Sequence, residues 1–270
     1  MGLILCTAKQ AKRPFFIEEL GLHVFSLEEL CYVIFEYPLL TADGFVQEPL
    51  FDFIRNELDE KELADNLTRL RKQGTSDTEL LCLILRRCAS YNDGEINRCH
   101  SRLQAISKLH RAEFLKRKAD FLFGLKRYGR AAAIYENILG MPDDSTVNDT
   151  FRGTILNNEG CALANLFLYE KAFHAFDRAY GILKDRTILK RIYFLSLLEP
   201  VLELKERYQS IAGDVSDDQW YREYEKAQNS AKSSAEAREI GDIFERDPVI
   251  RRNLATEKIG QWKQNYRNML

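Results

Sequence analysis

The side chains best suited to nucleophilic or metal chemistry are four histidines and six cysteines: His23, His100, His110 and His174, and Cys6, Cys31, Cys82, Cys88, Cys99 and Cys161. Their spacing assembles no site. Zinc needs ligands returned to a single face. Here no CxxC occurs, and the adjacent Cys99 and His100 would splay apart on a helix. Cys31, Cys82 and Cys161 lie within apolar helical runs and read as buried thiols of a reducing compartment, with the cytoplasm as the default. The paired acids Glu28-Glu29 and Asp143-Asp144 read as cap and loop charges rather than an acid–base couple. GxGxxG, P-loop, HExxH and GxSxG patterns are missing. The expectation is a protein that is not an enzyme and uses no metal or cofactor.

Polar groups suited to binding are more suggestive. Between Lys108 and Arg130 stand eight basic residues (Lys108, Arg111, Lys116, Arg117, Lys118, Lys126, Arg127, Arg130) against Glu113 and Asp120. Such a run is a solvated helix face or a cradle for an acidic segment. Asn157, Asn158 and Asn165 follow. Amide side chains both donate and accept, so on an inner face they can pair with a peptide backbone whatever its sequence.

The elements that would position these groups are repeated. Leu115, Ala119, Leu122, Tyr128, Ala131 and Tyr135 recur 41 residues later as Leu156, Gly160, Leu163, Tyr169, Ala172 and Phe176. Each set reads as two helices joined by a turn. Small Ala119 or Gly160 in the first helix and small Ala131 or Ala172 in the second let the pair approach closely. Tyr128 and Tyr169 start the second helices, where a ring plugs the turn. One such hairpin cannot bury its apolar face alone; stacking completes the core.

This pattern resembles the tetratricopeptide repeat (TPR) family, over roughly residues 112–183. The second copy is the better match, from Leu156 through Ala179. The first has Ile138 where the family has a small residue and Lys118 where it prefers an apolar one. The family period is 34 residues, and the seven extra residues fit the polar loop 141–150. A third, degenerate unit could run through Ile188, Leu189, Ile192, Tyr193, Leu195 and Leu198, with Pro200 breaking the helix and 201–212 as its partner. The resemblance implies an all-α, TPR-like helical-hairpin solenoid that binds a protein or peptide, with a groove lined by helices 112–125 and 153–166. Some relatives hold a carboxylate in a clamp of Lys, Asn and Arg. By position, Lys116 and Asn158 match that clamp, Lys190 or Arg191 would serve from a third repeat, and Asp120 stands where the clamp has Asn. An alternative is a peptide-sensing regulator whose ligand shifts the packing of repeats and N-terminal region.

Around the repeats the chain divides into an N-terminal mostly helical region, 1–110, the repeats, 111–213, and a C-terminal helical arm, 214–270. In the first, 3–6 and 22–25 read as strands and Pro14 to Leu20 as a short helix ending at Gly21. Ser26-Leu-Glu-Glu29 and Ser76-Asp-Thr-Glu79 are capping boxes. Helices follow from Pro49 to Leu58 and Glu60 to Lys72, and Asp93 caps another. The helix after Ser76 is nearly apolar all round. That makes it central, and it argues against reading the turn at Gly74 as part of a DNA-binding helix-turn-helix, because apolar side chains do not read base edges.

In the arm, Asp217 caps a polar helix and Asp247-Pro248 starts the last one. Its stripe Ala255, Ile259, Trp262, Tyr266 and Met269 is expected to cap the last repeat, or to seam a homodimer. Net charge is −2, so no global basic excess points to nucleic acid, and no run is apolar and long enough for a membrane span. The partner expected is therefore a protein or peptide, acidic where the basic run steers it.

Overall fold

The computed structural model describes residues 10–199, 201–202, 208 and 217–270. They are overwhelmingly helical and fall into two compact units, 1–121 and 122–270. The first opens on a β-hairpin. Strand β1 (Phe15–Ile17) pairs antiparallel with β2 (Leu22–Val24), Phe16 facing His23. The helix expected from Pro14 to Leu20 is therefore not formed. Phe15 is held instead against Phe45 and Phe53, with centroids 6.0 and 5.5 Å away, and Gly21 at φ 62 closes the turn. The expected strand 3–6 lies outside the described residues.

Helix α1 (Leu27–Glu36) starts where predicted: the Ser26 hydroxyl accepts from Glu29 N, and the Glu29 carboxylate accepts from Phe25 N. After α2 (Pro38–Thr41), α3 (Glu48–Asp52) widens into a π-helical turn, Phe53–Glu57. Then come α4 (Lys61–Lys72), α5 (Asp77–Arg87) and α6 (Asp93–Ser107). The cap of α6 is Asn92, one residue before the expected Asp93, because Asn92 and Glu95 form a complete capping box. Leu80, Leu81, Ile84 and Leu85 are fully buried, so α5 is the central helix its composition demands.

Helix α7 (Arg111–Gly124) runs across the division. The second unit continues with α8 (Tyr128–Leu139), α9 (Asp149–Asn165), α10 (Tyr169–Leu183) and α11 (Arg186–Leu198), each packed on the next. The two turns, at 125–127 and 166–168, repeat one another. Lys126 and Phe167 are both left-handed, at φ 60 and 62. Arg127 and Leu168 then take φ/ψ of −87/61 and −88/62. In each, the last amide bonds the carbonyl five residues back: Arg127 N to Leu122 O at 2.9 Å, Leu168 N to Leu163 O at 3.0 Å. The same pair of conformations precedes α4, at Asp59 and Glu60. Tyr128 and Tyr169 sit edge-on to Phe123 and Phe167, as turn plugs should.

The extra residues between the copies form a built loop. Arg152, on α9, donates to Leu139 O (2.6 Å) and Met141 O (2.5 Å) and pairs with Asp143, while Asp144 accepts from Thr146 N and Val147 N.

Helix α11 ends before Pro200, and most of 201–212 lies outside the described residues. Tyr208, fully buried, donates to Asp177 at 2.5 Å. Helix α12 (Asp217–Lys232) rests on α11 through Trp220 against Tyr193, a core contact with centroids 5.7 Å apart. Helices α13 (Ala235–Phe244) and α14 (Pro248–Met269) complete the chain. The apolar stripe of α14 does not cap the last repeat. Ile259 and Trp262 stay about half exposed, and the end of the helix meets the start of α8: Arg127 donates to Asn268 O at 2.6 Å, and Leu270 lies against Gly129. Glycine is needed there, since a Cβ would fall 2.7 Å from Leu270 O. Among the described residues no helix is long and apolar enough to cross a membrane.

Candidate functional site

Helix α9 is packed on several sides, which is why its apolar residues follow no single stripe. Leu156 and Gly160 face α10, where a Cβ on Gly160 would fall 2.6 Å from the Phe176 ring. Ile155 and Ala162 are buried as well. The polar residues left over form the candidate surface shared with α11.

Three of the expected binding residues come together on it. Arg191 of α11 donates to the Asn157 amide oxygen, and the Asn157 amide nitrogen reaches Asn158 Oδ1 at 3.3 Å. The Arg191 guanidinium also lies over the Phe176 ring, 5.9 Å from its centroid, which fixes the base of the cluster on the hairpin core. Cys161 stands one turn after Asn157. Burial raises its thiol, with Arg191 acting the other way. Asn165, exposed, donates back to Cys161 O at 2.8 Å. Lys190 turns from this cluster to Glu223 of α12 and lies 5.5 Å from the Phe194 ring centroid. The arrangement offers amide donors and acceptors held by a guanidinium. It has no nucleophile with a base beside it, and no cluster of metal ligands occurs among the described residues.

The remaining expected residues belong to the first unit. Lys116 pairs with Asp120 one turn on, at 2.6 Å, so its charge is met within its own helix. Lys118, the departure from the family pattern, is largely buried and pairs with Glu19 at 3.1 Å. The basic run is thus partly consumed by ion pairs, including Arg111 with Asp43 at 2.5 Å.

A second surface was not anticipated. A cleft of about 470 Å³ between α8, α9 and α10 is lined by Glu136, Glu159, Lys171, His174 and Arg178 over an apolar floor. Burial, with Glu136 adding repulsion, raises the Glu159 carboxyl above its ordinary value, and Arg178 opposes that. The available signal was Glu159 itself, the one charged residue from 153 to 165.

The chain was compared with family models, curated proteins and solved structures, and it matches none of them.

Proposed function

We propose that the protein is a non-catalytic TPR-like scaffold that binds a protein or peptide segment on the α9–α11 face. The observation that carries this reading is the recurrence, 41 residues apart, of one turn geometry, with small residues where helices cross. That is how a repeat scaffold displays a surface rather than encloses a pocket. The amides of Asn157, Asn158 and Asn165 would pair with the backbone of the bound segment, and Arg191 would hold Asn157 in the orientation that presents it.

The test compares proteins captured from native lysate by the full chain and by Asn158→Ala/Asn165→Ala, with circular dichroism to confirm equal folding. A partner retained by the wild type and lost by the double variant supports the reading. Equal retention by both moves the binding surface off this face. Capture of nothing by either removes the scaffold role under those conditions.

A further inference from the structure

Helix α14 is anchored at two points and stands off the repeats between them. Lys258 pairs with Glu239 of α13 at 2.5 Å, and Arg127 donates to Asn268 O at 2.6 Å. Both anchors are polar. The apolar side chains between them, Ile259, Trp262 and Tyr266, enter no core, and no residue of α14 is buried. Together with Met269, and with Phe167 from the turn between α9 and α10, they line an open groove of about 660 Å³. Trp262 is 49% exposed there.

The length of the groove suits a helix. Steps of three, four and three residues from Ile259 to Met269 put the stripe on one side of α14. At about 1.5 Å per residue it runs about 15 Å, or about three turns of a helix laid beside it. Apolar side chains at i, i+3 or i+4, and i+7 of such a helix would fall along the stripe. The charge of the groove selects the partner. Lys263 and Arg267, one turn apart, line it directly after Trp262 and Tyr266. Among the described residues no carboxylate lines the groove, and none pairs with either cation. The charge also decides against a second copy as the occupant. Helix α14 carries the basic residues Arg251, Arg252, Lys258, Lys263 and Arg267 against the single acid Glu257. Two such helices side by side would bring like charges together, whereas acids on a different helix would be drawn in.

We propose that this groove docks an acidic amphipathic helix of another protein, with its apolar stripe against Trp262, Tyr266 and Phe167 and its carboxylates against Lys263 and Arg267. Covering the three rings removes aromatic surface from water, which supplies the affinity. The two cations set the sign of the partner and make binding sensitive to salt. None of Asn157, Asn158, Asn165 and Arg191 lines the groove, so it and the α9–α11 face can be occupied independently.

The experiment titrates the full chain with a synthetic helical peptide that carries leucines at steps of three and four and glutamates beside them, and follows tryptophan emission. Trp262 is the reporter, because the chain's other tryptophan, Trp220, is only 5% exposed and gives a constant background. The expected result is a saturable shift of emission to shorter wavelength that weakens with salt. The same peptide with lysines for its glutamates, or with serines for its leucines, should give no shift. Lys263→Glu/Arg267→Glu should weaken the acidic peptide about tenfold and let the lysine peptide bind in its place. Both side chains are exposed, so the double variant keeps the fold, which circular dichroism checks. No shift with the acidic peptide, or equal binding of both peptides by the wild type, would overturn the proposal. So would a shift on concentrating the chain alone, which would make the occupant a second copy, or a shift with phosphatidylserine vesicles and not with the peptide, which would make it a membrane surface.

Discussion

Gly160 and Phe176 meet at the crossing of α9 and α10 so closely that a Cβ on the glycine would stand 2.6 Å from the ring. Phe176 is 2% exposed and sits within the core formed by Leu156, Ala172, Ala179 and Ile192, so the ring has little room to withdraw. Gly160→Ala gains about 1 kcal/mol of helix propensity, but overpacking of this kind costs about 1–3 kcal/mol. We expect net destabilisation in urea unfolding. Shrinking the ring should relieve the clash, so Gly160→Ala/Phe176→Leu should lose less than the sum of the two single variants. Additive losses would show that the two residues do not oppose each other.

Lys126 and Phe167 occupy matching left-handed positions. A non-glycine residue there carries about 1–2 kcal/mol of strain. Glycine removes the strain but makes the unfolded chain freer by about 0.4–1 kcal/mol. Phe167 is 64% exposed, so little packing is lost with it. Lys126→Gly and Phe167→Gly should each stabilise the protein modestly and by similar amounts in denaturant titration. Opposite signs would mean that the two turns are equivalent in backbone but not in energy.

The helices of the second unit were legible because their residue pattern is written twice in the sequence. Small residues, turn-plugging tyrosines and apolar steps at one offset constrain each other, and α8 and α10 start at Tyr128 and Tyr169 where the pattern places them, whereas α9 starts at Asp149, four residues before the expected 153. Ser26 and Ser76 were readable because a side-chain cap acts within four residues. The segment Pro14 to Leu20 was not, since its strand depends on Phe45 and Phe53, about thirty and forty residues away, to hold Phe15. The candidate site divides on the same line. Asn157 and Asn158 could be named from sequence, but the Arg191 that holds Asn157 comes from α11, two helices on. Lys116 looked available until Asp120, first noticed as an ill-fitting clamp residue, proved to be its ion-pair partner.

Arg152 ties the loop between α8 and α9 to the hairpin that follows. Its side chain is 20% exposed and answers two carbonyls, Leu139 O and Met141 O, besides Asp143. Removing one partner from buried hydrogen bonds costs about 1–3 kcal/mol per unsatisfied group. Arg152→Ala should therefore destabilise the chain by about 2 kcal/mol and open the loop preferentially. Limited proteolysis should then cut within 140–148 well before other sites. Cleavage spread evenly along the chain would mean that the loop is held by Asp144 alone.

Glu159 should make stability depend on pH in a direction opposite to that of a salt-bridged acid. Burial, with Glu136 beside it, lifts the carboxyl above its ordinary value of 4.5, and Arg178 offsets only part of this. Between the ordinary value and the raised one, the folded chain binds more protons than the unfolded chain. Its stability then falls as pH rises through that window, and the contribution is fully present only below it. Glu159→Gln keeps the shape without the charge, so it should be more stable than wild type at neutral pH and indistinguishable from it near pH 4. The difference between the two unfolding midpoints, followed from pH 4 to 7, should grow with pH. A constant difference would place Glu159 in solvent and leave the cleft between α8 and α10 without a half-buried carboxylate.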